Sequence, residues 1–302
     1  MRDTPSAAAP VDAAMLALVV VWGVNFAIVK DALAVLSPLA FNSLRMAAAG
    51  GILLAVLRLT EGPLRLPRSD WLRLLALGVV GHTLYQIFFI TGIARTTAGN
   101  SALILAMVPL FVAILGAALR VDVLTSRTWG GIALAFSGLF VLIFAGGRLR
   151  IDARTLAGDG LTLLCSICWA SYTVFSRPFL TRMSPLRLTA VTLLLGVPPL
   201  ALVSLPQLLA QPWHRVGWPV WGALAFSAVF AIALGYVVWY RSVQRVGGAR
   251  TAVYSNLIPI VALISAWLLL GERLTLLQIA GAAVVLAGVW IARTPRPVPT
   301  EA

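Results

Sequence analysis

Ten apolar runs, each about the length of a membrane-crossing helix, occupy almost the whole chain, at 13–30, 39–59, 72–94, 100–119, 128–145, 157–176, 187–208, 218–240, 251–270 and 275–292. A helix needs about 20 such residues to cross the hydrocarbon core of a bilayer, and only helices or closed barrels satisfy their backbone polar groups there. The expected fold is therefore all-α and integral to the membrane, with ten transmembrane helices. Composition agrees: 60% of residues are hydrophobic, 11% are charged and the mean hydropathy is +0.96, whereas a soluble domain carries about 25% charged residues. All ten acidic residues fall in the joints between runs or at their edges. Ala32-Leu33-Ala34 after the first run imitates a signal-peptide cleavage site, but the internal repeat described below needs that run in the fold.

The net charge of +13 does not point to nucleic acid. A nucleic-acid surface gathers its basic residues into one patch, and here they are scattered in small groups between apolar runs. Counted on alternate sides of ten crossings, 15 basic residues share the side of both termini and 7 lie opposite, with Arg45 inside the second run. The positive-inside rule then puts both termini in the cytoplasm, including tails 1–12 and 294–302, of a protein in the cell inner membrane. Cys165 and Cys168 form a single C-x-x-C within an apolar run, with no further ligands nearby. They read as packing thiols, so no metal site is expected.

The chain reads as two copies of one unit. At a shift of 147, Trp22 meets Trp169, Lys30 meets Arg177 and Ser37-Pro38 meets Ser184-Pro185. Further on the shift becomes 150, and Arg95 meets Arg245, Ala102 meets Ala252, Pro109 meets Pro259, Asp122 meets Glu272, Leu124 meets Leu274, Gly131 meets Gly281 and Gly138 meets Gly288. Each unit, 13–145 and 157–293, carries five runs. Because five is odd, the two copies must lie in opposite orientations. Inverted repeats of this kind build many secondary transporters, with substrate held near the midplane between the halves. A passive membrane protein made by duplication is the alternative.

The first run contains Trp22-Gly23-Val24-Asn25-Phe26 and ends in Lys30, and Arg45 follows Pro38 by seven residues. The last two runs carry Pro259, Gly271-Glu272, Gln278, Gly281 and Gly288-Val289. Over residues 13–293 this pattern resembles the drug/metabolite transporter superfamily, specifically its ten-helix EamA-type exporters. The first half departs from it locally, with Val121-Asp122 in place of the Gly-Glu pair. Within the superfamily the chain is most similar to bacterial amino-acid exporters, aromatic ones in particular. The resemblance implies a secondary exporter of amino acids working by alternating access, or alternatively an exporter of cationic drugs or other apolar metabolites.

Polar and aromatic residues at helical spacing mark the candidate pathway. Trp22 and Asn25 share a face of the first helix, and Trp169 and Tyr172 share one on its repeat mate. His82, Tyr85, Gln86 and Phe89 follow i, i+3, i+4, i+7 spacing on the third helix, with Tyr236, Trp239 and Tyr240 on its mate. Polar groups are costly against lipid, so these faces should point inward, where rings stack on a flat solute and amides bond its polar end. Aromatic packing between helices is the competing reading. For His82 that reading is a hydrogen bond to a neighbouring helix, against a role with a substrate carboxylate or a proton. For Arg45, snorkelling to the interface is favoured over contact with substrate. Pro109 and Pro259 weaken their helices and are candidate hinges, near Asn100-Ser101 and Ser255-Asn256. Gly131, Ala135 and Gly138 form a small-residue ridge facing one at Gly281 and Gly288, expected to pack within the chain.

No catalytic residue and no cofactor is expected. The only lysine, Lys30, does not follow the glycines of a nucleotide-binding loop, so this chain does not hydrolyse ATP. H-E-x-x-H, paired intramembrane aspartates and G-x-S-x-G are all missing from the sequence, which removes the usual intramembrane enzymes. Nothing resembles a channel filter, although a non-transporting receptor or channel stays open as the other class. With no carboxylate central in a helix, facilitated export is favoured over proton coupling through His82. The partners expected are the bilayer and a small-molecule substrate.

Overall fold

A computed structural model describes residues 9–64, 68–119, 125–144, 153–246, 254, 257–272 and 275–293. Both expected tails lie mostly outside these residues, as do Asp122, Leu124, Ala252, Ser255, Asn256 and Leu274. Among the described residues every regular element is helical. The helices are α1 (Ala9–Ala32), α2 (Pro38–Thr60), α3 (Trp71–Arg95), α4 (Ala98–Ala118) and α5 (Ser126–Phe144), then α6 (Ala153–Leu180), α7 (Pro185–Ala210), α8 (Trp218–Arg245), α9 (Ile258–Leu270) and α10 (Leu276–Arg293). Six of them, α1, α2, α3, α4, α7 and α8, are long and apolar enough to cross a bilayer, while Ile258–Leu270 and Ile279–Gly288 are shorter apolar helices.

Local chemistry explains the boundaries. Pro38 and Pro185 occupy the first turns of α2 and α7, where a missing N–H costs nothing, and the Ser184 hydroxyl accepts from the Arg187 amide. Gly271 ends α9 with φ +64°, and the following Glu272 amide returns to the Ala266 carbonyl at 3.2 Å, a reverse turn that a residue with a Cβ adopts only under strain. Two helices are not uniform. Residues Val79–Leu84 of α3 and Ser227–Leu234 of α8 are π-helical, a wider turn that frees carbonyls and often marks functional positions. α4 breaks at Ala106-Met107, and Val108-Pro109 starts its second segment.

α2 and α7 run antiparallel, and polar clamps fix the ends of the helices. Side chains at the end of α7 meet the start of α2: Gln211 accepts from the Ser37 amide and Gln207 from the Leu39 amide, each at 2.8 Å. At the other end of this pair, Glu61 after α2 accepts from the Ser184 hydroxyl at 2.6 Å and pairs with Arg187. Asp70, before α3, pairs with Arg182, after α6. The most extensive packing joins α5 to α10, α3 to α6, α2 to α7 and α1 to α9. Large apolar side chains stay exposed on the outside, including Leu59, Leu72, Leu202, Leu209 and Leu276, which suits a lipid solvent rather than water.

The two small-residue ridges do meet within the chain. Gly138 lies against the backbone of Gly281 and Val285, and Gly288 against Gly131 and Ala135.

Candidate functional site

Nine of the aromatic and histidine side chains marked by helical spacing come together in one continuous cluster between the halves. Trp22 of α1 packs on Trp239 and Tyr236 of α8, with ring centroids 5.4 and 6.5 Å apart. Tyr236 in turn stacks on His82 at 5.7 Å and packs on Trp169 at 5.1 Å. Trp169 reaches Tyr85 at 5.1 Å, Tyr172 at 5.7 Å and Tyr240 at 6.5 Å, and Tyr85 stacks on Phe89 at 6.1 Å. His82 and Tyr240 both meet Tyr172 edge-on. Offset and edge-to-face contacts at these separations are the favourable geometries for aromatic pairs.

Close backbone approach makes this convergence possible. A Cβ on Gly81 would stand 2.5 Å from the Tyr172 ring, and one on Gly235 2.8 Å from Trp22 Nε1. The π-helical stretches supply polar anchors: Trp22 Nε1 donates to the Ala231 carbonyl at 2.8 Å, and His82 lies within the stretch of α3.

Two polar groups flank the rings. On one side, His82 Nε2 is 3.0 Å from Thr192 Oγ1 on α7, which also bonds the Tyr172 hydroxyl at 2.9 Å. His82 is thus tied to a neighbouring helix, while its Nδ1 has no partner among the described residues. On the other side lies Arg45, 2% exposed. Its Nε donates to Asn42 Oδ1 at 2.7 Å, one terminal nitrogen to Ser227 Oγ at 2.8 Å and the other to Gln86 Oε1 at 3.0 Å. Gln86 Nε2 donates to the Tyr236 hydroxyl at 3.1 Å, so this network joins the aromatic cluster directly. The guanidinium also lies over the Phe41 and Phe89 rings.

The snorkelling expected for Arg45 is therefore not what the structure has. Asn42 and Arg45 are three residues apart and lie on the inward face of α2, so the side chain turns into the bundle and finds acceptors there. The i, i+3 spacing of Asn42 and Arg45 alone does not decide between interface and core, because the acceptors Ser227 and Gln86 lie on other helices. Helical spacing alone marks neither Ser227, a polar residue within the apolar run of α8, nor Thr192.

Asn25, Pro109 and Pro259 are the marked residues outside these ring contacts and polar networks. Asn25 is buried with its side-chain oxygen unpartnered. Pro109 and Pro259 sit in the first turns of the second α4 segment and of α9, rather than inside continuous helices.

A second polar assembly closes one end of the bundle. Lys30 Nζ donates to the carbonyl of Ile93 at 2.6 Å and to that of Thr96, at the end of α3. The Glu272 carboxylate accepts from the Ala98 and Gly99 amides, the first of α4, at 3.0 and 3.2 Å. Asp159 of α6 accepts from Thr96 Oγ1 at 2.6 Å and from Asn100 Nδ2 at 3.5 Å. A cation thus meets a helix C-terminus and an anion a helix N-terminus, both favourable to the helix dipoles.

Among the described residues no group of three or more His, Cys, Asp and Glu side chains is arranged to hold a metal.

Comparison with known proteins agrees with this architecture. The EamA-like transporter family matches residues 10–144 and again residues 156–294. An uncharacterized transporter, YyaM, of Bacillus subtilis (strain 168) is 30% identical over 277 residues, covering 91% of this chain and 90% of its own. A probable amino-acid metabolite efflux pump of Salmonella typhimurium is 30% identical over 284 residues, covering 91% and 92%. A probable terminal-alkyne amino-acid exporter of Streptantibioticus cattleyicolor is 30% identical over 241 residues and covers 78% of each chain. One crystal structure superposes with a TM-score of 0.69 at 17% identity, over 94% of this chain and 98% of that one, which shows a shared fold. With its multiple apolar helices and these two matches, the chain is a multi-pass membrane protein of the EamA-like transporter family.

Proposed function

We propose that this protein exports amino acids, aromatic and hydrophobic ones first, from the cytoplasm across the inner membrane as a secondary transporter. Its two five-helix repeats, 13–145 and 157–293, lie inverted in the bilayer with both termini cytoplasmic and alternate between inward-open and outward-open packings. The observation that carries the reading is the aromatic cluster of Trp22, Tyr85, Trp169, Tyr172, Tyr236 and Trp239, built from both repeats and flanked by polar groups. Such a wall accommodates a flat apolar ring and offers hydrogen bonds to a polar end. Supporting the inversion, α3 packs on α6 as its mate α8 packs on α1, and α1 packs on α9 as α6 packs on α4. A probable amino-acid metabolite efflux pump and a probable terminal-alkyne amino-acid exporter among the relatives of this chain support the reading. Pro109 and Pro259 serve as hinges in this scheme, because each begins a helical segment rather than continuing one.

Uptake of labelled phenylalanine, tryptophan, leucine and threonine into liposomes holding the purified protein tests the reading. The expected result is saturable entry of phenylalanine and tryptophan without a pH gradient. Entry of none of the four would overturn the amino-acid assignment, and entry that requires the gradient and is lost in His82→Ala would replace facilitated export with proton coupling. Trp169→Ala removes the ring at the centre of four aromatic contacts. It should raise the half-saturating concentration of phenylalanine about tenfold and that of leucine much less, since each aromatic pair contributes about 0.5–1.5 kcal/mol beyond simple burial. Equal effects on both substrates would count against ring stacking.

A further inference from the structure

Among the described residues, Arg45 is a charge without a counter-charge. It is 2% exposed, and among the described residues no carboxylate lies within ion-pair distance. A guanidinium stays protonated in any protein environment and carries five N–H donors. Its three hydrogen bonds all go to neutral oxygens, those of Asn42, Ser227 and Gln86. Two donors are left over among the described residues. Near them, Tyr236 belongs both to this network through Gln86 and to the aromatic cluster through Trp22, His82 and Trp169. The indole N–H of Trp239, packed on Trp22 within that cluster, is a buried donor with no partner among the described residues.

Burying an uncompensated charge is costly, and buried charges normally pair. A site with a fixed cation, spare donors and aromatic walls is complementary to a planar anion attached to a ring. It repels a ligand whose polar end is a cation.

We propose that Arg45 is the carboxylate subsite of this transporter, so that its substrates are aromatic carboxylates, amino acids included, and not aromatic amines or cationic drugs. The proposal rests on the central cluster being the substrate site. Gln86 and Ser227 orient the guanidinium, and Tyr236 marks the junction between the anion's place and the ring's place.

Three probes that differ only in their polar end separate the possibilities: phenylalanine, 3-phenylpropionate, which lacks the amine, and phenethylamine, which lacks the carboxylate. Binding is read by quenching of intrinsic tryptophan fluorescence on the purified protein, and flux by uptake into liposomes. Both carboxylates should bind at least about tenfold more tightly than phenethylamine, the contrast expected of a charge-assisted hydrogen bond. Arg45→Gln should bring the three within about threefold of one another while melting as the wild type does, and Arg45→Lys should keep part of the contrast. Phenethylamine binding as tightly as the carboxylates in the wild type, a full contrast persisting in Arg45→Gln, or the binding of neither carboxylate each overturns the proposal. Should Arg45→Gln fail to fold, the wild-type series still decides. Binding of 3-phenylpropionate but not phenylalanine would sustain the carboxylate subsite while removing the amino-acid reading.

Discussion

Leucine at Gly196 is expected to abolish recovery of folded protein, and alanine there to lower the melting temperature in detergent by about 5 °C. Gly196 of α7 and Gly78 of α3 face each other with backbone against backbone. A Cβ on Gly196 would run into the Gly78 carbonyl and come 2.7 Å from His82 Cβ, and one on Gly78 would stand 2.5 Å from the Thr192 carbonyl oxygen. The obstacles are main chain, which cannot rotate away as a side-chain tip can. One turn further along, the Thr83 hydroxyl donates to the Gly196 carbonyl at 2.7 Å, so separating the helices also breaks this buried bond. In a bilayer, lipid tails are as apolar as leucine, and helix association depends on such close contact and on interhelical hydrogen bonds. Gly222 provides the contrast, because nothing lies within 4 Å of a Cβ built there. Gly222→Ala should leave stability unchanged or raise it slightly, through helix propensity worth up to about 1 kcal/mol. Thermal unfolding of the three variants checks this, and a Gly196→Leu protein that melts like the wild type would show that the helix contact is not close.

The helical architecture was legible because its signals are redundant. Several boundaries were written twice, as an apolar run and as a proline, serine or glycine at its end, as at Pro38, Ser184-Pro185 and Gly271. Most described helices begin and end within a few residues of the runs; α9 is the exception, described from Ile258 where its run begins at 251. The membership of the aromatic cluster was legible for the same reason, since 3.6-residue spacing puts Trp22, Trp169, His82, Tyr85, Gln86 and Phe89 on inward faces whatever the crossing angles.

The π-helical stretches were not legible. A π-turn is set by what its neighbours donate, as when Trp22 Nε1 donates to the Ala231 carbonyl, and not by the composition of Val79–Leu84 or Ser227–Leu234. The fate of Arg45 was also hidden. Its reach allowed either interface or core, and only the positions of Ser227 and Gln86 on other helices decide between them. The repeat comparison, extended to these residues, shows why the two halves are not equivalent. At a shift of 147, Asn42 corresponds to Thr189 and Arg45 to Thr192. One half therefore brings a guanidinium to the cluster where the other brings the hydroxyl that holds His82 and Tyr172. Under the proposed function, a duplicated scaffold with unlike polar ends would orient an unlike-ended solute.

Neutralising Glu272 is expected to open the end of the bundle that carries Lys30. Glu272 belongs to the second half, yet its carboxylate holds the first amides of α4 in the first half, at 3.0 and 3.2 Å. Gly271 fixes its approach, because the left-handed turn directs the chain back over the end of α9. Lys30 fastens α1 to the end of α3 beside it, so both ends of the α3–α4 joint are gripped by charge. In the proposed orientation this end faces outward, and alternating access requires the grip to release. Hydrogen bonds to a charged group contribute about 1.5–3 kcal/mol. Glu272→Gln keeps the size of the side chain but loses the charge, so it should shift the closed-to-open equilibrium about tenfold toward open. Ser101, on α4 and fully buried, reports the change. In a background with Cys165 and Cys168 replaced by alanine, a cysteine at position 101 should react about tenfold faster with a water-soluble maleimide when Glu272 is glutamine. Lys30→Met should act in the same direction. Equal labelling rates with and without the Glu272 carboxylate would mean that this contact caps a helix and does not gate the pathway.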